Sequence, residues 1–339
     1  MASKKMKIFR DYSFVIGLAI LIFMVYKFGI DKVWLNLKQT GWWFVPIIGI
    51  WLIIYMLNAF CLQIILRDGK KDTPKVSIWK LLHLTISAYS INYITPLAIG
   101  GEPYKILALK EDVGSKKATS SVLLYIMMHY VSHFLFWMLS VPLFLVVVPV
   151  IPAAVKVVLW SIIIGTVLLI YWGYTVYTKG IIHKTLSVGS KLPFFGKKIK
   201  LYKEKNKERF DELDALIADL YTNRKRDFYF SLGVELLSRV VWSLEIYFMV
   251  MALNYDISIP QAMLIYSFAT LVANLFFFAP MQMGTREGGF ALAVSFLSIP
   301  AGIGIYVGLC TRIREFFWIL VGVLLMKISP KTETPTEQV

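Results

Sequence analysis

Asn92-Tyr93-Ile94-Thr95-Pro96-Leu97-Ala98-Ile99-Gly100-Gly101-Glu102 lies deep inside apolar sequence. Its order of Asn, Pro, Gly and an acidic residue returns from Asn274 through Pro280-Met281-Gln282-Met283-Gly284-Thr285-Arg286-Glu287. In hydrocarbon a Pro-Gly break strips the backbone of hydrogen bonds and a carboxylate is costly, so such segments persist where they line a protein-enclosed cavity. The two stretches read as the broken tips of two membrane hairpins, and they point to a transport site within the bilayer.

The sequence around them agrees. With 58% hydrophobic and 17% charged residues in a chain of 339 and a mean hydropathy of +0.65, the chain is far more apolar than a soluble domain of that length needs to be. Cys61 and Cys310 both fall inside apolar runs without metal-ligand spacing, which suggests neither a disulfide framework nor a zinc site, and no cofactor is expected. The net charge of +15 sits in loops between apolar runs, a pattern of membrane orientation and contact with anionic headgroups. It is not read as nucleic-acid binding.

A hydrocarbon core of about 30 Å needs roughly 20 apolar residues per helix. Runs of that size occur at about 13 to 30, 43 to 66, 119 to 148, 154 to 177, 228 to 252 and 302 to 326. The first follows Lys4, Lys5, Lys7 and Arg10 but offers no small-residue cleavage site near Phe28-Gly29-Ile30, so it reads as a retained span. Two further stretches, 76 to 110 and 258 to 299, are cut by Pro96/Gly100/Gly101 and by Pro280/Gly284 into arms too short to cross, and re-entrant hairpins are the economical reading.

Charge supports that topology. A cytoplasmic N-terminus places Lys70, Lys71 and Lys75, then Lys110, Lys116 and Lys117, and then the strongly basic 178 to 227 segment on one side, while 254 to 261 outside carries no Lys or Arg. The expected fold is therefore an all-α polytopic membrane protein with six full transmembrane helices and two oppositely oriented re-entrant helical hairpins, related as a weak inverted repeat. It forms a single membrane domain over 1–331. The first half, 1–177, holds the hairpin 76–112; a cytoplasmic basic and amphipathic segment covers 178–227; the second half, 228–327, holds the hairpin 258–299; 329–339 is a polar tail. The expected location is the plasma (inner) membrane, multi-pass, with both termini cytoplasmic.

The candidate substrate-binding residues are Asn92, Thr95, Pro96, Gly100, Gly101, Glu102 and Lys105 at the first tip, Asn274, Pro280, Gly284, Thr285, Arg286 and Glu287 at the second, and Arg312 in the last span. Gly100-Gly101 permits a tight reversal and Pro103 suits a first helical turn, so a half-helix N-terminus would offer N–H groups to a phosphate, with Lys105 one turn on. Alternatively, Glu102 only stabilises that N-terminus or pairs with Lys105 at i, i+3. Thr285 is expected to cap an arm beginning with Arg286 and Glu287, which either contact substrate or neutralise one another.

Arg312 and Glu315 share a helical face, as do Glu235 and Arg239 at i, i+4. Arg312 would bind a lipid phosphate bidentately or neutralise Glu102 or Glu287 across the bundle. His129 and His133 have the spacing of two metal ligands, yet no third ligand lies nearby in sequence, so a packed or hydrogen-bonded pair is the preferred reading and no metal is expected. Gly304 and Gly308 give small-xxx-small spacing, a helix-packing signal. Phe210, Leu213, Ile217 and Leu220 mark an amphipathic helix that lies on the inner leaflet and draws in anionic lipid, or else only anchors the chain.

Thr95-Pro96 followed by Gly100-Gly101-Glu102, the later Pro280 with Gly284 and Glu287, and an Arg-bearing final span resemble the lysylphosphatidylglycerol synthetase transmembrane family over nearly the whole chain. Met281-Gln282-Met283 departs from the glycines commoner there. Members are flippase-like, and the resemblance implies movement of a phospholipid between leaflets. In two-part members the membrane domain translocates aminoacylated phosphatidylglycerol made by a soluble C-terminal domain. Here only the polar tail follows Lys327, so lysyl transfer is not expected and the chain reads as a lipid translocase, not an enzyme.

The expected partners are membrane lipids: an anionic or aminoacylated phospholipid, or a polyprenyl-phosphate-linked lipid. A homo-oligomer and a lipid-modifying enzyme partner stay open. Two rival readings remain. One is a membrane-embedded enzyme acting on a lipid headgroup, with Glu102 and Glu287 as acid and base; the other is a non-transporting membrane protein that docks such an enzyme through 178–227.

Overall fold

The computed structural model describes residues 30–67, 76–95, 100–148, 151–177, 196–205, 207–275 and 284–327, together with Leu186, Ser187, Ser190 and Gln282. The first expected span, Pro96 and Pro280 at the tips, and the C-terminal tail lie outside the described residues.

Among the described residues the secondary structure is helical. The chain runs through α1 (Ile30–Thr40), a 3-10 turn (Gly41–Trp43), α2 (Phe44–Leu66), α3 (Ile78–Ile94), α4 (Gly101–Val113), α5 (Ser115–Val147) and α6 (Ala153–Tyr177). It continues through α7 (Gly196–Lys205), α8 (Lys207–Thr222), α9 (Lys225–Met251), α10 (Ile259–Leu275), α11 (Thr285–Ser295) and α12 (Ala301–Lys327). The expected runs from 43 to 326 thus appear as α2, α5, α6, α9 and α12. The two broken stretches appear as the packed pairs α3 with α4 and α10 with α11.

Local chemistry sets the breaks. Thr95 leaves α3 in an extended conformation, φ −90° and ψ 140°, because the ring of the following proline clashes with an α conformation at the preceding residue. Gly114 at φ +81° turns α4 directly into α5.

The distribution of polarity is inverted relative to a water-soluble protein. Apolar side chains such as Val45, Ile53, Leu139, Val146, Trp160 and Ile164 are exposed, whereas Glu235, Arg239, Glu245, Arg312, Arg314 and Glu315 are buried. A chain solvated by hydrocarbon on its flanks has this arrangement, since a charge is tolerated only where the protein itself pairs it. Two helical stretches, Lys38–Leu66 and Ser115–Val147, are long and apolar enough to cross a bilayer, and Ala153–Leu168 and Ile259–Leu275 are shorter apolar helices. α9 and α12 have the length, 27 residues each, but each carries three ionisable residues in its interior. Length and apolarity alone therefore do not mark them as spans.

α12 is the spine of the bundle, with α11 packed on its first half and α3 on its second. A Cβ added at Gly304 would sit 2.5 Å from the backbone of Phe290 and Ala291, and one at Gly308 would sit 3.0–3.4 Å from Glu287. The small residues are what let α11 lie this close. Farther along, Ser90 of α3 donates to the carbonyls of Trp318 (3.3 Å) and Ile319 (3.2 Å), and His83 Nε2 lies 2.6 Å from the Leu325 carbonyl. The stretch between these contacts, Arg312 to Glu315, is the middle of the helix.

Candidate functional site

Each tip is built by residues that satisfy its own backbone. At the first, the Asn92 side-chain oxygen accepts from Gly101 N at 2.6 Å, and Thr95 Oγ1 accepts from Gly100 N at 3.0 Å while donating to Ile91 O at 2.9 Å. A Cβ on Gly101 would overlap the Ala88 carbonyl and meet the Asn92 side chain at 2.8 Å, so glycine is required for this close approach of α4 to α3. The expectation that the start of this arm offers free N–H groups to a phosphate is corrected here for Gly100 and Gly101. Side chains of the preceding arm already occupy both, because α3 ends one hydrogen-bond length away.

Glu102 pairs with Lys105 at 3.1 Å, and the Lys105 ammonium lies 4.5 Å from the Tyr125 ring centroid. Glu102 thus makes the i, i+3 pair with Lys105 that its spacing allows. Nearby, Arg239 Nη2 donates to Glu235 Oε2 at 3.2 Å and to His129 Nδ1 at 2.8 Å. His129 and His133 stand ring edge to ring face, centroids 5.4 Å apart.

At the second tip Gly284 adopts φ +79° and precedes the helix; its N–H donates to Glu287 Oε2 at 2.8 Å. The expected cap by Thr285 is corrected. Glu287 reaches back one turn to take that N–H, and the Thr285 hydroxyl donates to Gln282 O at 3.1 Å. Asn274 stays apart: it is exposed and donates to Thr270 O of its own helix at 2.8 Å.

Arg286 and Glu287 do not neutralise one another. Each reaches across to α12, where the partners are reversed in order. Arg286 pairs with Glu315, and Arg312 Nε donates to Glu287 Oε1 at 2.7 Å. Of the readings open for Arg312, the structure shows the counter-ion to Glu287 across the bundle; Arg312 and Glu315, though on one face of α12, pair with α11 and not with each other, which gives two crossed pairs. Arg312 also donates to Gln282 O at 3.3 Å, and Arg286 donates to the Gln282 side-chain oxygen at 2.9 Å.

The cluster extends inward through residues that sequence reasoning did not select. Tyr93 of α3 donates to Glu315 Oε2. Arg314 pairs with Glu245 of α9 at 2.7 Å, donates to Tyr89 Oη at 3.1 Å and lies 3.8 Å from the Trp51 ring centroid. Glu245 and Arg314 carried a signal, being ionisable residues inside apolar runs. Tyr89, Tyr93 and Trp51 carried none, since aromatic residues are abundant throughout the chain.

This arrangement gathers three arginines and three carboxylates at the middle of the bundle. On the α11 side, Arg286 and Glu287 side chains keep 16% and 15% exposure, against 2% and 5% for Arg312 and Glu315 on α12. A partly open polar face therefore backs onto a buried one, an arrangement able to exchange ion-pair partners with an incoming charged group.

The family model described as the lysylphosphatidylglycerol synthase TM region matches residues 12–322. No curated protein and no solved structure matches the chain.

Proposed function

The chain belongs to the lysylphosphatidylglycerol synthase TM region family and is a membrane-embedded, flippase-like lipid-handling protein with a transporter-like role, and on that premise we propose that the crossed ion pairs between α11 and α12 are the place where a lipid headgroup passes the bilayer midplane. The observation that carries this reading is the pairing of Arg286 with Glu315 and of Glu287 with Arg312 in the middle of the spine helix, at the start of a broken hairpin arm. Isolated charges at such depth are costly, and four of them facing one another on a partly open face provide both signs for a headgroup.

The topology that serves this function has six crossings and two hairpins entering from opposite faces, with both termini and the basic 178–227 segment in the cytoplasm of the inner membrane. The inverted polarity of the bundle and the charge asymmetry of its loops support it. The headgroup replaces ion-pair partners at Arg312 and Glu315 while its acyl tails remain in lipid, and parting of α11 from α12 opens the site. Anionic lipid gathers at the basic α7–α8 region, which is also the surface a lipid-modifying enzyme partner would use. Among the residues selected at the first tip, Asn92, Thr95, Gly100 and Gly101 shape the tip, and Glu102 with Lys105 forms a second charged pair beside the path.

The test is exchange of fluorescent phospholipids between leaflets of proteoliposomes. Wild-type protein is expected to move lipid well above the protein-free rate, and Arg312→Ala to lower movement to that rate. Undiminished exchange by a folded Arg312→Ala protein would remove the site from the transport path.

A further inference from the structure

Among the described residues the charges of the cluster balance. Arg286, Arg312 and Arg314 stand against Glu245, Glu287 and Glu315, each in an ion pair. The tip segments 96–99 and 276–283 add no ionisable side chain, as their sequence shows. The neighbouring pairs, Lys105 with Glu102 and Arg239 with Glu235, balance as well. A headgroup that enters between α11 and α12 separates Arg312 from Glu287 and Glu315 from Arg286. The α11 partners are the more exposed and turn to the open side. Arg312 and Glu315, buried one turn apart on the same face of α12, are left with one positive and one negative charge to satisfy.

Removing one partner of a buried ion pair is strongly unfavourable, because the remaining charge stays desolvated without compensation. A headgroup with phosphate alone satisfies Arg312 and leaves Glu315 with the Tyr93 hydroxyl and Arg314 at 3.8 Å, a guanidinium already paired with Glu245, so the site carries one negative charge too many. A headgroup with a phosphate and two ammonium groups leaves a surplus cation. We infer that the substrate class of this site is a net-neutral phospholipid headgroup, one phosphate and one ammonium joined by a short linker, with the phosphate on Arg312 and the ammonium on Glu315. The inference rests on the translocase reading and adds the identity of what is carried.

The experiment compares tail-labelled phosphatidylethanolamine, phosphatidylglycerol and lysyl-phosphatidylglycerol in proteoliposomes at neutral pH, with wild-type protein, Glu315→Gln and Glu315→Asp. The wild type is expected to move phosphatidylethanolamine at least about tenfold faster than either of the others, and Glu315→Asp to keep that order. Glu315→Gln removes the negative charge from the α12 site, so phosphatidylglycerol is expected to overtake phosphatidylethanolamine. The inference is overturned if phosphatidylglycerol or its lysyl ester moves as fast as phosphatidylethanolamine in the wild type, or if Glu315→Gln slows all three without changing their order. Should Glu315→Gln fail to fold, the wild-type ranking decides alone. Movement of none of the three by inserted wild-type protein would instead overturn the translocase reading itself.

Discussion

Tyr93 and Arg286 belong to different hairpins and bond the two oxygens of one carboxylate, that of Glu315, the tyrosine to Oε2 and the arginine to Oε1. The two broken arms, separated by nearly two hundred residues of chain, are thus joined through a single side chain at the middle of α12. A hydrogen bond to a charged group contributes about 1.5–3 kcal/mol. Tyr93→Phe is expected to lower stability by about that much and to slow lipid exchange, because α3 loses its hold on the residue that α11 also uses. Thermal unfolding in detergent and exchange in proteoliposomes measure the two effects. A variant as stable and as active as wild type would show that the shared carboxylate does not couple the hairpins.

Glu245 and Arg314 form the deepest pair of the cluster, at 2.7 Å, with both side chains almost wholly buried. Glu245→Gln leaves the guanidinium with only Glu315, 3.8 Å away and already paired with Arg286, at an expected cost of about 3–5 kcal/mol. The double variant Glu245→Leu/Arg314→Met is expected to recover most of that loss, since a buried pair replaced by apolar side chains of similar volume is often near neutral. A double-mutant cycle on thermal stability tests this; additive losses from the two single changes would contradict the pairing.

Two glycines on α12 make a matched comparison. At Gly304 an added Cβ meets the α11 backbone at 2.5 Å, whereas at Gly302 it meets open space. Gly304→Ala is expected to destabilise by about 1–3 kcal/mol through overpacking against backbone that has no rotamer to yield. Gly302→Ala should be neutral or gain up to about 1 kcal/mol from reduced chain freedom. Equal melting temperatures for the two variants would mean that α11 does not lie against α12 at this closeness.

The proposed topology is open to single-cysteine labelling. Cys61 and Cys310 are both fully buried, so native background to a membrane-impermeant maleimide should be low. Ser115→Cys and Ser258→Cys occupy exposed positions at helix starts. The first is expected to react from the cytoplasmic side and the second from the opposite side. Reaction of both from the same side would rule out the arrangement of crossings proposed here.

Much of the fold was legible because hydrophobic length and proline-glycine punctuation are local signals. The broken stretch around Asn92 to Glu102 is two packed helices, and the run at 302 to 326 is α12 within a residue or two. The residues of the site were legible as a set of charges, and the reach of Arg312 to Glu287 across the bundle was one of the readings open, but the partner of Arg286 was not. Arg286 next to Glu287, and Arg312 three residues from Glu315, look self-neutralising in one dimension. Only the packing of α11 on α12, allowed by Gly304 and Gly308, turns the local pairs into crossed ones. Tyr93 could not be singled out, because a hydroxyl's value depends on which carboxylate lies across from it.

The two tips follow one sequence order but differ in how they are fastened. The first is buckled to its own arm, Asn92 to Gly101 and Thr95 to Gly100, by short hydrogen bonds that no ligand charge competes for. The second is moored to a different helix, by ion pairs that an ionic visitor can replace. The two tips therefore share an order of residues and differ in mechanics: on the path proposed above, the first would serve as the door frame and the second as the leaf that swings.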